Sequence, residues 1–389
     1  MADENPSNPT HPTPPRTEEE RLDWLRLIRS RRVGAVTFHR LMAEHGSARA
    51  ALAALPQVAR AAGVDHYAVC PVEVARAELA EARVARAVPL FFGDRSYPAA
   101  LRDLSDAPPV LWARGDLALL ARPSVALVGA RNASSLGVRM ARRLAEGLGQ
   151  AGFTVVSGLA RGIDTAAHEA ALATGTVAVQ AGGVDVVYPE ENARLAEDIR
   201  ARGLLLSEQA MGVQPQTRHF PMRNRIISGL ARAVIVVEAA ARSGSLITAR
   251  NAADQGRDVM AVPGHPFDAR ASGCNMLLRD GALLVRGPAD VLEALGTPAP
   301  ETDSIADRIL SDDCPPHPRL PGPQPAGRPL AETSDLHSRI LARLGPSPLA
   351  EDQLIRDLAL PPAHLAPALL TLELDGRIQR QPGGLLSRL

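Results

Sequence analysis

The chain has 389 residues, 46% of them hydrophobic, and its 43 basic residues are balanced by 43 acidic ones. That size and apolar content allow roughly two or three domains with real cores. Zero net charge excludes a chain that holds nucleic acid or a membrane surface by bulk charge, so any polyanion site must be a local arrangement. Every basic residue is Arg, which goes with the heavy Ala, Leu and Pro usage and points to a GC-rich coding bias. Cys70, Cys274 and Cys314 are far apart, with no metal spacing and no disulfide framework, so a reducing cytoplasm is the expected location. The N-terminus is polar and Pro-rich without a signal-peptide core, and no apolar run approaches the roughly 18 residues of a membrane span.

In chain order, residues 1–20 read as a disordered tail. Residues 21–85 hold amphipathic helical stretches separated by Gly34, Gly46 and Gly63, a small helical domain. Residues 86–296 change pattern. After a lead-in with a short strand VLWA, continuous apolar runs alternate with helical stretches: SVALVGA (124–130), TVVSG (154–158), TVAVQA (176–181), LLLSE (204–208), AVIVVEA (233–239) and DVMAVPG (258–264). Continuous apolar strands separated by helices predict an α/β fold, a Rossmann-like doubly wound and mostly parallel sheet buried on both faces. A late strand ALLVR and helix PADVLEAL close it. Residues 297–332 are a Pro-rich linker, extended and mobile in expectation. Residues 333–389 read as three helices and a hairpin around Gly383-Gly384, a winged-helix-like pattern.

The loops after the strands carry the chemistry. The first strand runs into Gly129 and Arg131, with Ser134 or Ser135 as a helix cap. The second runs into Ser157, Gly158 and Arg161, and the fifth into Arg242 and Ser243-Gly244-Ser245. In a parallel sheet these junctions share one edge, and each offers backbone N–H groups at a helix start, a setting for anions. Glycine lets the backbone come close, serine adds a donor, and arginine adds a fork suited to phosphate. Three such loops together predict a ligand with several phosphates, a nucleotide or a nucleic-acid strand. The third and fourth strand loops bring Asp185, Tyr188, Asn192 and Glu208 to the same edge.

Enzyme signatures are poor. There is no Walker A lysine, no Gly-x-Ser-x-Gly elbow, and VGARNASSLG keeps only the first glycine of a dinucleotide fingerprint. Asp164 and His168, four apart, are half a metal site at most; a helix-start Asp and a hydrogen-bonded core His are the expected roles, with no metal and no cofactor.

One more segment stands out. Residues 219–230 read HFPMRNRIISGL, a helix expected to begin at Pro221 with Arg223 and Arg225 in its first turn. Cations there oppose the helix dipole by roughly 0.3–1 kcal/mol each, so something negative must compensate. Arg225 is the expected phosphate contact. Arg223, which falls among the apolar positions, is left two readings: phosphate contact, or burial against Glu208 or Glu238.

The runs SGLARGIDTAAHEAAL, GGVDVVYPEEN and HFPMRNRIISGLARAVIVVEAAARSGSLITARNAADQGRDVMAVPG strongly resemble the DNA-processing protein A (DprA/Smf) family. Segment 97–116 is similar too, DQLIRDLALPPAHLAPALLTLELDGRIQRQPGG resembles the family's winged helix, and residues 21–85 resemble its sterile-alpha-motif or helix-hairpin-helix-like domain more loosely. The resemblance implies a bacterial cytoplasmic protein that is not an enzyme. It binds and protects single-stranded DNA in natural transformation or in DNA repair, helps load the RecA recombinase, and forms a homodimer through the Rossmann-like domain. It places family-type phosphate contacts on Arg131, Arg225 and Ser243-Gly244-Ser245, with Ser157, Gly158, Arg223, Asn224 and Thr248 beside them. Two features depart from the family: the absence of Lys, and an opening loop, GARNASSLG, with Asn132 and no aromatic nearby. With only 3% aromatic residues, contact to a strand should be mostly through its backbone, although Phe220 beside the RNR turn could stack one base. The competing reading is a nucleoside-monophosphate phosphoribohydrolase of the Lonely Guy type, but ARSGSLITAR lacks the acid such a loop carries. The nearly uncharged helix expected at 362–376 favours protein contact over DNA reading for the C-terminal module.

Overall fold

The computed structural model describes residues 12–61 and 63–298 and, toward the C-terminus, 339–340, 342–344, 349–358, 369, 372, 378–381 and 385–388. They fall into two compact units, one of residues 12–52 and 69–298, the other of 53–68 with the C-terminal pieces.

Four helices come first: α1 (Glu18–Arg29), α2 (Ala35–His45), α3 (Ala48–Ala61) and α4 (Val72–Ala85). Helix α1 starts inside the tail expected over residues 1–20. The three glutamates that suggested a solvated tail are its first turn, closed by a capping box in which the Thr17 hydroxyl accepts from Glu20 N and the Glu20 carboxylate accepts from Thr17 N. Trp24 of α1 packs on Phe38 of α2 at 4.9 Å and on Phe91 at 6.0 Å between ring centres.

Among the described residues nine strands form one sheet: β1 (Val88–Phe91), β2 (Val110–Gly115), β3 (Ser124–Gly129), β4 (Thr154–Ser157), β5 (Thr176–Val179), β6 (Leu204–Ser207), β7 (Ala233–Glu238), β8 (Asp258–Ala261) and β9 (Leu283–Leu284). Their order is β1-β2-β6-β5-β4-β3-β7-β8-β9. Strands β3 to β9 pair in parallel, whereas β1 and β2 form an antiparallel margin. Six of these strands fall on the six apolar runs, because strands buried on both faces cannot alternate. Strand β1 was not anticipated. Its sequence VPLF contains Pro89, which is tolerated on an edge strand but argues against a strand when read alone.

Helices α5 (Ala99–Arg102), α6 (Ser135–Gln150), α7 (Ile163–Ala171), α8 (Ala193–Arg202), α9 (His219–Leu230), α10 (Ser245–Asp254), α11 (Ser272–Arg279) and α12 (Pro288–Leu295) complete the unit. Leu127, Val155 and Ile235 of the sheet are fully buried with Leu144, Leu148 and Ile163 of α6 and α7. Strand β3 lies between β4 and β7, so the strand order reverses there, and the loops that leave β3 and β7 flank that crevice. Among the described residues no helix is long and apolar enough to cross a membrane.

In the second unit, β10 (Leu349–Ala350), β11 (Ile378–Gln381) and β12 (Leu385–Arg388) form an antiparallel sheet in the order β10-β12-β11, and α13 (Glu351–Leu358) follows β10. The β11–β12 pairing, with Gln381 opposite Leu385, is the expected hairpin. The turn at Gly383-Gly384, most of the linker, and the greater part of the other two helices expected in 333–389 lie outside the described residues.

Candidate nucleic-acid interface

The three glycine-rich loops meet at the carboxyl edge of the sheet, but they do not offer three open cradles. In the β3–α6 loop, Ser134 is the cap, its hydroxyl accepting from Gly137 N at 3.0 Å. The Glu238 carboxylate at the end of β7 then accepts from Ser134 N at 3.0 Å and from the Ser134 hydroxyl at 2.5 Å. A Cβ on Gly137 would collide with that carboxylate. Glu238 therefore holds a helix start rather than an arginine.

The β4–α7 loop is also closed from within. The Asp164 carboxylate accepts from Gly158 N at 3.1 Å and Ala160 N at 3.3 Å. His168 Nε2 accepts from Leu159 N at 3.3 Å, and its Nδ1 lies 2.7 Å from the Thr176 hydroxyl. Burial pushes His168 down to about 3, so its ring is neutral at ordinary pH. Asp164 and His168 thus take the structural roles expected of them. Ser157 is buried, its hydroxyl donating to Leu127 O at 2.6 Å. Thr248, one turn inside α10, is buried as well.

The β7–α10 loop is the open one. Gly244 is exposed and supplies no side-chain cap, and the hydroxyls of Ser243 and Ser245 lie 2.6 Å apart at the start of α10. Positive helix ends of this kind attract anions.

Helix α9 starts at His219, so Pro221 stands within the first turn rather than at its beginning, a position where a missing N–H costs nothing. Successive helix residues point about 100° apart, and the Arg-Asn-Arg turn consequently sends its side chains in three directions. Asn224 reaches toward Gly244 O at 3.5 Å. Arg225 is held by Glu208 at 2.5 Å and Asp106 at 3.5 Å. Arg223 is buried, its Nη1 donating to Val179 O at 3.2 Å while its Nε has no partner among the described residues. The pairing with Glu208 foreseen for Arg223 thus belongs to Arg225, and Glu238 pairs with neither. Burial pushes Arg223 down to about 10, with Asp164 drawing it up and Arg131 opposing, and it stays charged at neutral pH. Its guanidinium lies against Gly158 so closely that a Cβ there would overlap it.

Arg223 lines a cavity of about 460 Å³ with Arg131, Gly158, Arg161, Tyr188 and Phe220. The exposed Arg131 guanidinium stands 5.1 Å from the Phe220 ring centre, and the Tyr188 and Phe220 rings are 5.8 Å apart. The cavity also contains Glu190 and Glu191, and Glu191 pairs with Arg161 at 3.6 Å. Of the residues singled out from sequence, Arg131, Gly158 and Arg223 share this cavity. Ser243, Gly244 and Ser245 border the neighbouring open helix start, bridged to it by Asn224. Ser157, Thr248 and Arg225 are turned into the protein. Arg161 and Tyr188, placed at this edge from sequence but not among the DNA contacts, line the cavity too, as does Phe220, expected to stack one base.

Comparison with known proteins gives the context. A family model described as DNA recombination-mediator protein A matches residues 89–296. A DprA-like N-terminal HHH domain matches 18–81 and a DprA winged helix domain matches 324–384. The DNA processing protein DprA of Streptococcus pneumoniae is 49% identical over 201 residues, covering 51% of this chain and 71% of the relative. Protein Smf of Escherichia coli is 38% identical over 297 residues, 74% of each. The X-ray structure of the Streptococcus pneumoniae protein aligns with a TM-score of 0.52 at 43% identity, over 57% of this chain and 80% of that one. DNA processing protein A from Helicobacter pylori, solved for its single-stranded DNA binding mode, aligns with a TM-score of 0.50 at 30% identity, over 54% and 95%.

Proposed function

The chain belongs to the DNA recombination-mediator protein A family, and on that premise we propose that it binds single-stranded DNA across the carboxyl edge of its sheet. The observation that carries this reading is the cavity in which Arg131, Arg161 and Arg223 stand beside the Phe220 and Tyr188 rings. Cations at fixed positions suit successive phosphates, and the ring edge of the cavity suits stacking against an unpaired base. The open start of α10 at Ser243-Gly244-Ser245 extends the track, with Asn224 between. Arg225 supports the turn from behind. The groups of the β4–α7 loop best able to move a proton, Asp164 and His168, are hydrogen-bonded inward, which supports a binding role over a catalytic one. In this reading the protein shields single strands and hands them to the RecA recombinase in the cytoplasm, in transformation or in repair, acting as a homodimer through its Rossmann-like unit.

The test is fluorescence anisotropy of a labelled single-stranded oligonucleotide at several salt concentrations, with wild type, Arg131→Glu and Arg223→Met side by side. Wild type should bind with a steep salt dependence, from counterion release, and both variants should bind weakly. Equal binding by all three would place the strand elsewhere. Competition by duplex DNA reports whether the narrow loop spacing excludes a stiff helix.

A further inference from the structure

The opposite edge of the sheet, where the parallel strands begin, carries a second concentration of cations. A cleft of about 680 Å³ lies between segment 95–102, which includes α5, and segment 117–124, which leads into β3. Arg95, Arg102, Arg122 and Arg232 line it and, among the described residues, no Asp or Glu does. The exposed Asp258 opens the strand beside Arg232, its N–H donating to the Arg232 carbonyl at 3.3 Å, but it does not line the cleft.

Part of this cluster has a structural explanation. Helices end at this edge, and their terminal carbonyls are negative. Arg122 donates to Thr174 O at 2.7 Å and Gly152 O at 3.3 Å, just beyond the ends of α7 and α6. Arg102 donates to Asp94 O at 2.8 Å and Tyr97 O at 3.3 Å, yet its buried Nε has no partner among the described residues. Arg95 and Arg232 are exposed, and among the described residues their side chains make neither a hydrogen bond nor an ion pair. The fold uses two of the cations and leaves two, Arg95 on the first segment and Arg232 just before β7, lining the same cleft.

We propose that this cleft binds a stretch of phosphodiester backbone, a second contact for the nucleic-acid strand, remote from the first. The proposal rests on the single-strand reading above and adds to it a separate site. The space is too large for one phosphate, and cations on separate segments suit phosphates strung along a chain. Its one aromatic residue, Tyr97, is buried with its hydroxyl donating to Pro108 O at 2.8 Å, so no ring is offered to a base. Contact here is to the backbone alone and independent of the bases, unlike the aromatic cavity at the other edge.

The experiment uses the full chain with short and long oligo-dT. Arg95 and Arg232 are exposed and unpartnered, so the Arg95→Gln/Arg232→Gln double variant should fold as wild type, which circular dichroism checks. It should bind short oligo-dT as wild type does, bind long oligo-dT more weakly, and show a shallower salt slope on the long strand by about 0.7 for each phosphate that the variant no longer neutralises. Wild-type binding of both lengths by the double variant would overturn the proposal. Loss of ATP binding in calorimetry, with long-strand affinity unchanged, would also overturn it, by making the cleft a free-nucleotide site. Arg131→Glu, run beside it, should weaken both lengths. If it weakens neither, the reading of the first edge fails independently of the outcome here.

Discussion

Arg223 and Arg225 are two residues apart on the first turns of one helix, and they serve opposite purposes. Arg225 faces a network of carboxylates. Glu208 and Asp106 hold it, and the carbonyl of Glu208 accepts from Arg29, whose guanidinium also donates to Glu78 at 2.6 Å. Glu78 in turn accepts from the Trp112 indole N–H at 2.9 Å, so a chain of contacts runs from β2 through α4 and α1 to Glu208 after β6 and on to α9. Among the described residues Arg223 makes no ion pair with an acid. It is held by a backbone carbonyl and by the absence of a side chain on Gly158, and it lines an open cavity. The difference teaches that a buried cation matched by carboxylates is a strut, and one held by a backbone carbonyl beside an open cavity is the candidate contact.

The largest effect should come from breaking the strut. Glu208→Ala leaves the mostly buried Arg225 charge with the longer Asp106 contact alone, and denaturant unfolding should show a loss of up to about 3–5 kcal/mol. The double replacement Glu208→Met/Arg225→Met should recover much of that and keep single-strand affinity. If the double variant folds and does not bind, Arg225 touches the strand and the contrast collapses.

Next comes the cavity side. Gly158→Val puts a side chain where the Arg223 guanidinium lies, and should weaken single-strand binding by about tenfold or more, the worth of one charge-assisted contact. Arg223→Met should lose a similar amount by anisotropy. A Gly158→Val protein that binds normally would mean that Arg223 only packs.

The loop behind Gly158 gives a pH prediction. His168 titrates near 6.5 when unfolded and near 3 when folded. Between those values the unfolded chain carries the extra proton, so this contribution is complete above about pH 6.5 and is lost as pH falls toward 3. The slope should approach about 1.4 kcal/mol per pH unit, and by pH 5 the loss should be about 2 kcal/mol. In His168→Gln this component should vanish; an unchanged slope between pH 6.5 and 5 would show that the ring titrates normally.

The smallest effect belongs to the rim. Arg161 and Glu191 are both well exposed, and such a pair contributes little to stability. Glu191→Gln should leave the melting temperature unchanged and raise single-strand affinity, because Arg161 is then free for phosphate. Weaker binding would mean that Glu191 positions Arg161 rather than competing for it.

Much of the α/β unit was legible because buried parallel strands are continuous apolar runs, and because the topology places every strand-end loop at one edge. The roles of Asp164 and His168 were legible from their spacing on one helix face. Strand β1 was hidden by Pro89. The division of labour between the arginines was hidden for a different reason. A helical wheel shows that positions 223 and 225 diverge, but not which acids stand opposite. Glu208 ends β6 and Asp106 precedes β2, distant stretches that only the folded chain brings to α9. Likewise, glycine and serine marked the loops, while the carboxylates that fill two of them come from elsewhere in the sequence or from the following turn.

Glu238 has a further consequence. In doubly wound folds, the crevice where strand order reverses is where a dinucleotide rests its pyrophosphate on the first helix. Here the protein supplies that anion itself: the Glu238 carboxylate already occupies the start of α6, wedged against Gly137. The helix start that would cradle a small nucleotide's phosphate is filled from within, so an anion at this edge is left the neighbouring loops.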